Sequence, residues 1–83
     1  MNDNELFSAT ELKVLKLLGS KKITISALAT AYFKGETKPL DPNAVVSSAI
    51  LRINRKCLYH KVGWHIEGSG GGRGGRTVWK TKK

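Results

Sequence analysis

Cys57, His60 and His65 stand in the order Cys-x2-His-x4-His, and thiolate and imidazole are ligands that zinc and copper ions favour. Three ligands fall one short of a closed structural zinc site. Cys57 also recurs in phase with Val46, Ile50 and Ile53, so the expectation is a buried, inert thiol and no metal. His60 falls at the end of the same stretch, where a helix terminus favours a cation. Catalysis has less to build on. The 6 acids are scattered, and no nucleophile stands at a telling distance from a base, so neither an enzyme nor a bound cofactor is expected.

Binding of phosphates has far more support. The chain carries 15 Lys and Arg against 6 Asp and Glu, a net charge of +9 on 83 residues. Residues 1–42 hold six lysines against five acids, a net of +1, whereas residues 43–83 hold nine Lys and Arg against Glu67 alone, a net of +8. Charge confined to one half of a small domain makes a basic face, and such a face suits a polyphosphate. Two clusters carry most of it. "RINRKC" places Arg52, Arg55 and Lys56 within one and a half helical turns, and "GSGGGRGGR" sets Arg73 and Arg76 among six glycines. Guanidinium groups pair in two-pronged fashion with phosphates and with the guanine edge. Glycine lets a backbone approach another surface closely.

These groups need elements to hold them. Met1–Glu5 is polar and is expected to fray. Ser8 and Glu11 have the spacing of a capping box opening a first helix, with Leu12, Leu15 and Leu18 on one face, Val14 beside it, Lys13 and Lys16 outward and Gly19 as the stop. A short strand is expected around Ile23–Ile25, then a helix capped by Ser26 with Leu28, Ala31 and Tyr32 inward and Gly35 ending it. Asp41-Pro42 opens a third helix over 42–58, which buries Val46, Ile50, Ile53 and Cys57 with Val45 and Ala49 at the edge. Its opposite face is expected to carry Ser47, Ser48, Arg52, Arg55 and Lys56. "VGWHIE" and "RTVWK" follow as a hairpin around the glycine tract, with Trp64 and Trp79 in its core as a cross-strand pair.

The order helix, strand, helix, helix, strand, loop, strand is that of an α+β winged helix-turn-helix: three helices, a short strand and a C-terminal β-hairpin wing. "FSATELKVLKLL", "VVSSAILRINRKC" and "GRGGRTVW" resemble, in turn, the opening helix, the recognition helix and the closing hairpin of OmpR/PhoB-type response-regulator effector domains. The 83 residues hold no receiver domain, and only six precede Phe7, so the family's N-terminal sheet has no counterpart. The wing is also longer and richer in glycine. The resemblance therefore implies the architecture and a groove-reading third helix, without phosphorylation-controlled dimerisation. It also implies that the long loop 34–41 is able to contact RNA polymerase.

The expected layout is a flexible N-terminus (1–6), a DNA-binding domain (7–80) and a basic tail (81–83). Asn43, Ser47, Ser48, Arg52, Arg55 and Lys56 would face the major groove of double-stranded DNA, Arg52 making the strongest base contact. Arg73, Arg76 and Lys80 would serve a wing spanning 68–76 in the minor groove, whose narrow A·T-rich stretches attract arginine. The role would be that of a transcriptional regulator or architectural accessory factor, of a size that suits a phage or mobile element. Two other classes stay open: an RNA or single-stranded nucleic-acid binder using the Gly/Arg tract, and a protein-interaction module. A single cysteine, no leader-like apolar run and no apolar stretch of ~18 residues imply a cytoplasmic protein, on the nucleoid when bound, with no membrane contact.

Overall fold

The fold is that of a computed structural model, which describes residues 3–70 and 75–82. Arg73 lies outside the described residues. The elements are α1 (Asp3–Leu6), α2 (Ala9–Leu18), β1 (Ile23–Thr24), α3 (Ile25–Tyr32), α4 (Pro42–His60), β2 (Trp64–Ser69) and β3 (Thr77–Lys82). The strands form one antiparallel sheet in the order β1-β3-β2, making a small α+β domain in which β3 is central. Leu18, Leu28, Val46, Ile53 and Val78 are fully buried, so α2, α3, α4 and the sheet share a single core.

Asp3–Leu6 forms a helical turn, and Phe7 behind it is buried with its ring 5.8 Å from that of Trp64. Ser8 then caps α2: its Oγ accepts the Glu11 N–H at 3.3 Å, and the Ser8 N–H is donated to Glu11 Oε1 at 3.1 Å. Both halves of the capping box are therefore present. Gly19 ends the helix at φ 58°, as its position implied. The buried stripe is turned from the expected one. Glu11, Val14 and Leu18 are buried, while Leu12 and Leu15 pack only partly.

β1 stops at Thr24, one residue short of the expected strand, because Thr24 and not Ser26 caps α3. Thr24 Oγ1 accepts the Ala27 N–H at 3.1 Å. Ile25 thereby becomes the first helical residue and is drawn into the core, with its N–H donated to the Arg76 carbonyl at 2.8 Å. The inward residues of α3 are Ile25, Leu28 and Ala29, whereas Ala31 and Tyr32 are half-buried.

α4 begins as its sequence dictates. Asp41 accepts the Ala44 N–H at 3.1 Å, and proline occupies the first turn, where no N–H is needed. Val46, Ile50, Ile53 and Cys57 are buried as expected, and Ala49 joins them fully, while Val45 is exposed. The helix runs two residues past Leu58 and ends on Lys61, which adopts the left-handed conformation at φ 51°.

The hairpin register separates the tryptophans. Trp64 faces Lys82 and Trp79 faces Glu67, so the two rings sit on opposite faces of the sheet and make no cross-strand pair. Trp64 shares the face of buried Ile66 and Val78, and the Lys80 ammonium lies 4.3 Å above its ring. Trp79 has the Lys22 ammonium at 4.9 Å. The glycine tract is also shorter as a loop than expected. Gly68 and Ser69 belong to β2, opposite Val78 and Thr77. A Cβ on Gly68 would stand 3.2 Å from Val78 Cγ1, so glycine there serves packing and not mobility.

Candidate nucleic-acid interface

The expected DNA-contacting residues of α4 lie on three different sides of that helix. Ala44, Ser48, Leu51, Arg55 and Leu58, at steps of four, three, four and three, form the exposed stripe opposite the core. Asn43 and Ser47 are half-buried on the flank that also carries Asn54. Arg52 and Lys56 occupy the other flank, against α2. Among the expected readers, only Ser48 and Arg55 point straight outward.

The α2 flank is organised by Glu11. Its side chain is 3% exposed, and it accepts from Lys56 Nζ at 2.6 Å and from Arg52 Nε at 3.3 Å. Burial works to raise the Glu11 carboxyl. The Lys56 hydrogen bond, the Ser8 N–H, the Lys56 charge and the Arg52 N–H outweigh it and hold the group below its ordinary value of 4.5. One carboxylate thus finishes the α2 cap and seats α4 on α2. Arg52 spends its Nε–H on this contact, which orients the guanidinium and differs from the unencumbered groove-facing side chain expected from sequence. Glu11 falls three residues before Val14 and seven before Leu18, so helical phase alone could have placed this acid in the core and signalled the need for a cation.

The other flank is held by an amide. Asn54 Nδ2 donates to the Ile66 carbonyl and Asn54 Oδ1 accepts the Ile66 N–H, both at 2.8 Å. β2 is an edge strand, and Asn54 pairs with its outer edge as another strand would. This clamp sets the hairpin beside α4. The far side of the hairpin is tied to α3 by the bond from Ile25 N–H to the Arg76 carbonyl. Arg76 itself is exposed where the chain enters β3, and Lys80 is exposed in β3 despite its contact with Trp64. Gly70 and Gly75 flank the tip at φ 80° and 77°, a region that disfavours any other residue.

The electrostatics follow from which cations are spoken for. Lys13 pairs with Glu36 at 2.9 Å, Arg52 and Lys56 pair with Glu11, and His65 Nε2 lies 3.1 Å from Glu67. Among the described residues no acid pairs with Arg55, Lys61, Arg76, Lys80 or Lys82. The 34–41 loop is exposed throughout, and Leu40 projects entirely into solvent.

A groove of about 610 Å³ lies between the end of α4 and the start of β2, lined by Asn54, Cys57, Leu58, Lys61, Gly63, Trp64 and His65. In its wall, His65 Nδ1 is the one buried side-chain nitrogen or oxygen among the described residues without a hydrogen-bond partner. Cys57 is buried, His60 is exposed, and among the described residues no three of His, Cys, Asp and Glu come together as a metal site would require. Among the same residues, no helix is long and apolar enough to cross a membrane. No family model, curated protein or solved structure matches the chain.

Proposed function

We propose that this chain is a winged helix-turn-helix domain that binds double-stranded DNA, as a transcriptional regulator or an architectural accessory factor. The observation that carries the reading is the set of cations on α4 and the hairpin, Arg55, Arg76, Lys80 and Lys82, with which no acid among the described residues pairs. The element order and the β1-β3-β2 sheet agree with the winged arrangement, in which the first and last strands pair and the hairpin stands beside the third long helix.

In this reading the outward stripe of α4 enters the major groove. Ser48 meets base edges or phosphates, and Arg55 takes the two-pronged guanine contact. Leu51 between them suits a thymine methyl. Arg52, oriented by Glu11 through Nε, turns its remaining N–H groups to the backbone, with Lys56 beside it and Asn43 and Ser47 on the hairpin side. Arg73 and Arg76 serve the adjacent minor groove. Mobility shifts with duplex DNA, single-stranded DNA and RNA of equal length test the proposal. Preference for the duplex is expected. Preference for RNA or a single strand would transfer the function to the Gly/Arg tract, and failure with all three would remove nucleic acid as the partner.

A further inference from the structure

The cations of α4 are accounted for by a nucleic-acid surface, but its last turn is not. Leu58 is 72% and Tyr59 82% exposed. A helix of 19 residues is about 28 Å long. The last residue of α4 assigned to a base is Arg55, so the turn after it lies past the groove contact. Large apolar side chains left in water at that place call for another partner.

Leu58 is continuous with the groove between α4 and β2. Its apolar wall is Leu58, Trp64 and the buried Cys57, and its polar lining is Asn54, Lys61 and His65. The Asn54 side chain is already committed to Ile66. His65 is paired with Glu67 through Nε2 at 3.1 Å. Lys61 is therefore the charged group the groove offers. It sits at φ 51°, a conformation that glycine would occupy with less strain. The Lys80 ammonium above Trp64 adds a second cation nearby. Residues 42–60 contain no Asp or Glu.

We infer that this groove docks a partner protein through an acidic segment anchored by one or two large apolar side chains. The anchor would pack on Leu58 and Trp64 while its flanking carboxylates meet Lys61 and Lys80. Charge selects this occupant. A second copy of the chain would bring Lys61 and Lys80 against their own like, whereas an acidic segment neutralises them. A duplex carries negative charge but no apolar side chain to fill the wall, so the wall favours a protein segment. The anchor does not depend on duplex binding, since neither Leu58 nor Trp64 is assigned a contact there.

The experiment follows backbone amide shifts of the full chain during titration with a short helical peptide of leucine and glutamate, its leucines three and four residues apart. Controls carry lysine for every glutamate, or alanine for every leucine. The acidic peptide should shift the amides of Leu58, Lys61, Gly63, Trp64 and His65, and both controls should bind at least ~tenfold more weakly, the loss expected when an anchor or its charge complement is removed. Leu58→Ser should reduce affinity by a similar factor. Lys61→Gly should weaken binding while raising the thermal midpoint, which separates lost contact from lost folding. Leu58→Ser should retain parental affinity for duplex DNA. Equal binding of the acidic and basic peptides, or no shift in these amides at millimolar peptide, would overturn the inference. So would concentration-dependent dimerisation abolished by Leu58→Ser, which would assign the face to a second copy. Displacement of the peptide by duplex, with the duplex shifting the same amides, would assign it to DNA.

Discussion

The two flanks of α4 are fastened by unlike chemistry. Toward α2 the fastening is ionic, with one buried carboxylate receiving Lys56 and Arg52. Toward β2 it is neutral, with one amide exchanging two 2.8 Å hydrogen bonds with Ile66. An ionic fastening responds to protons, whereas an amide clamp does not titrate. It also uses up part of the basic surface, because a cation turned to Glu11 has fewer N–H groups left for a phosphate. The neutral clamp holds the hairpin in place without drawing on any charge. The protein therefore divides its cations into those that fix α4 and those left for a partner.

The amide clamp should show the largest effect. Asn54→Ala leaves the Ile66 N–H and carbonyl shielded and unpaired, and should cost about 3 kcal/mol in denaturant unfolding. Asn54→Asp sharpens the test. A carboxylate facing a carbonyl destabilises near neutral pH, and stability should partly return as the new acid is protonated. Similar stability of Asn54→Ala and the parent would show that the edge of β2 needs no cover.

The ionic flank should follow. Glu11→Ala removes the reciprocal half of the cap and the shared partner of Lys56 and Arg52, for about 2 kcal/mol, less than a fully buried pair because both cations can rehydrate. Glu11 titrates below its ordinary value in the fold, so its contribution is present above that value of 4.5 and fades as the pH falls toward the lower folded one. Unfolding free energy measured through this window should drop in the parent and drop less in Glu11→Gln. Parallel curves would remove Glu11 as the titrating group.

The smallest effect concerns what each set of cations leaves for a ligand. Arg55→Ala should weaken duplex binding by about 1–2 kcal/mol, and Arg52→Ala by less, because Arg52 already gives its Nε–H to Glu11. The reverse order in fluorescence anisotropy would return the principal contact to Arg52.

The sequence makes some of this arrangement readable and hides the rest, for local reasons. Ser8, Glu11, Gly19, Asp41 and Pro42 are chain-local signals whose partners lie within four residues, and each is found where expected. The buried stripe of α4 is likewise a matter of spacing. What escapes is whatever depends on contacts across the fold. Thr24 replaces Ser26 as the cap of α3 because the core claims Ile25 and the hairpin accepts its N–H. The tryptophans part because register, unlike strand identity, is fixed by pairing with β1 and the cover of α4. Asn54 gives no local sign of its clamp, since Ile66 lies twelve residues away on another element. The basic face is legible as composition, while the sharing of Arg52 and Lys56 with Glu11 spans 41 and 45 residues of sequence.

The central claim, that the unpaired cations of α4 and the hairpin meet duplex phosphates, is tested most directly by affinity for one duplex across a series of salt concentrations. About five phosphate contacts should give a log–log slope near −4 to −5, and Arg76→Ala with Lys82→Ala should bring it up by about two units. A parental slope near zero, or a double variant with an unchanged slope, would contradict the account.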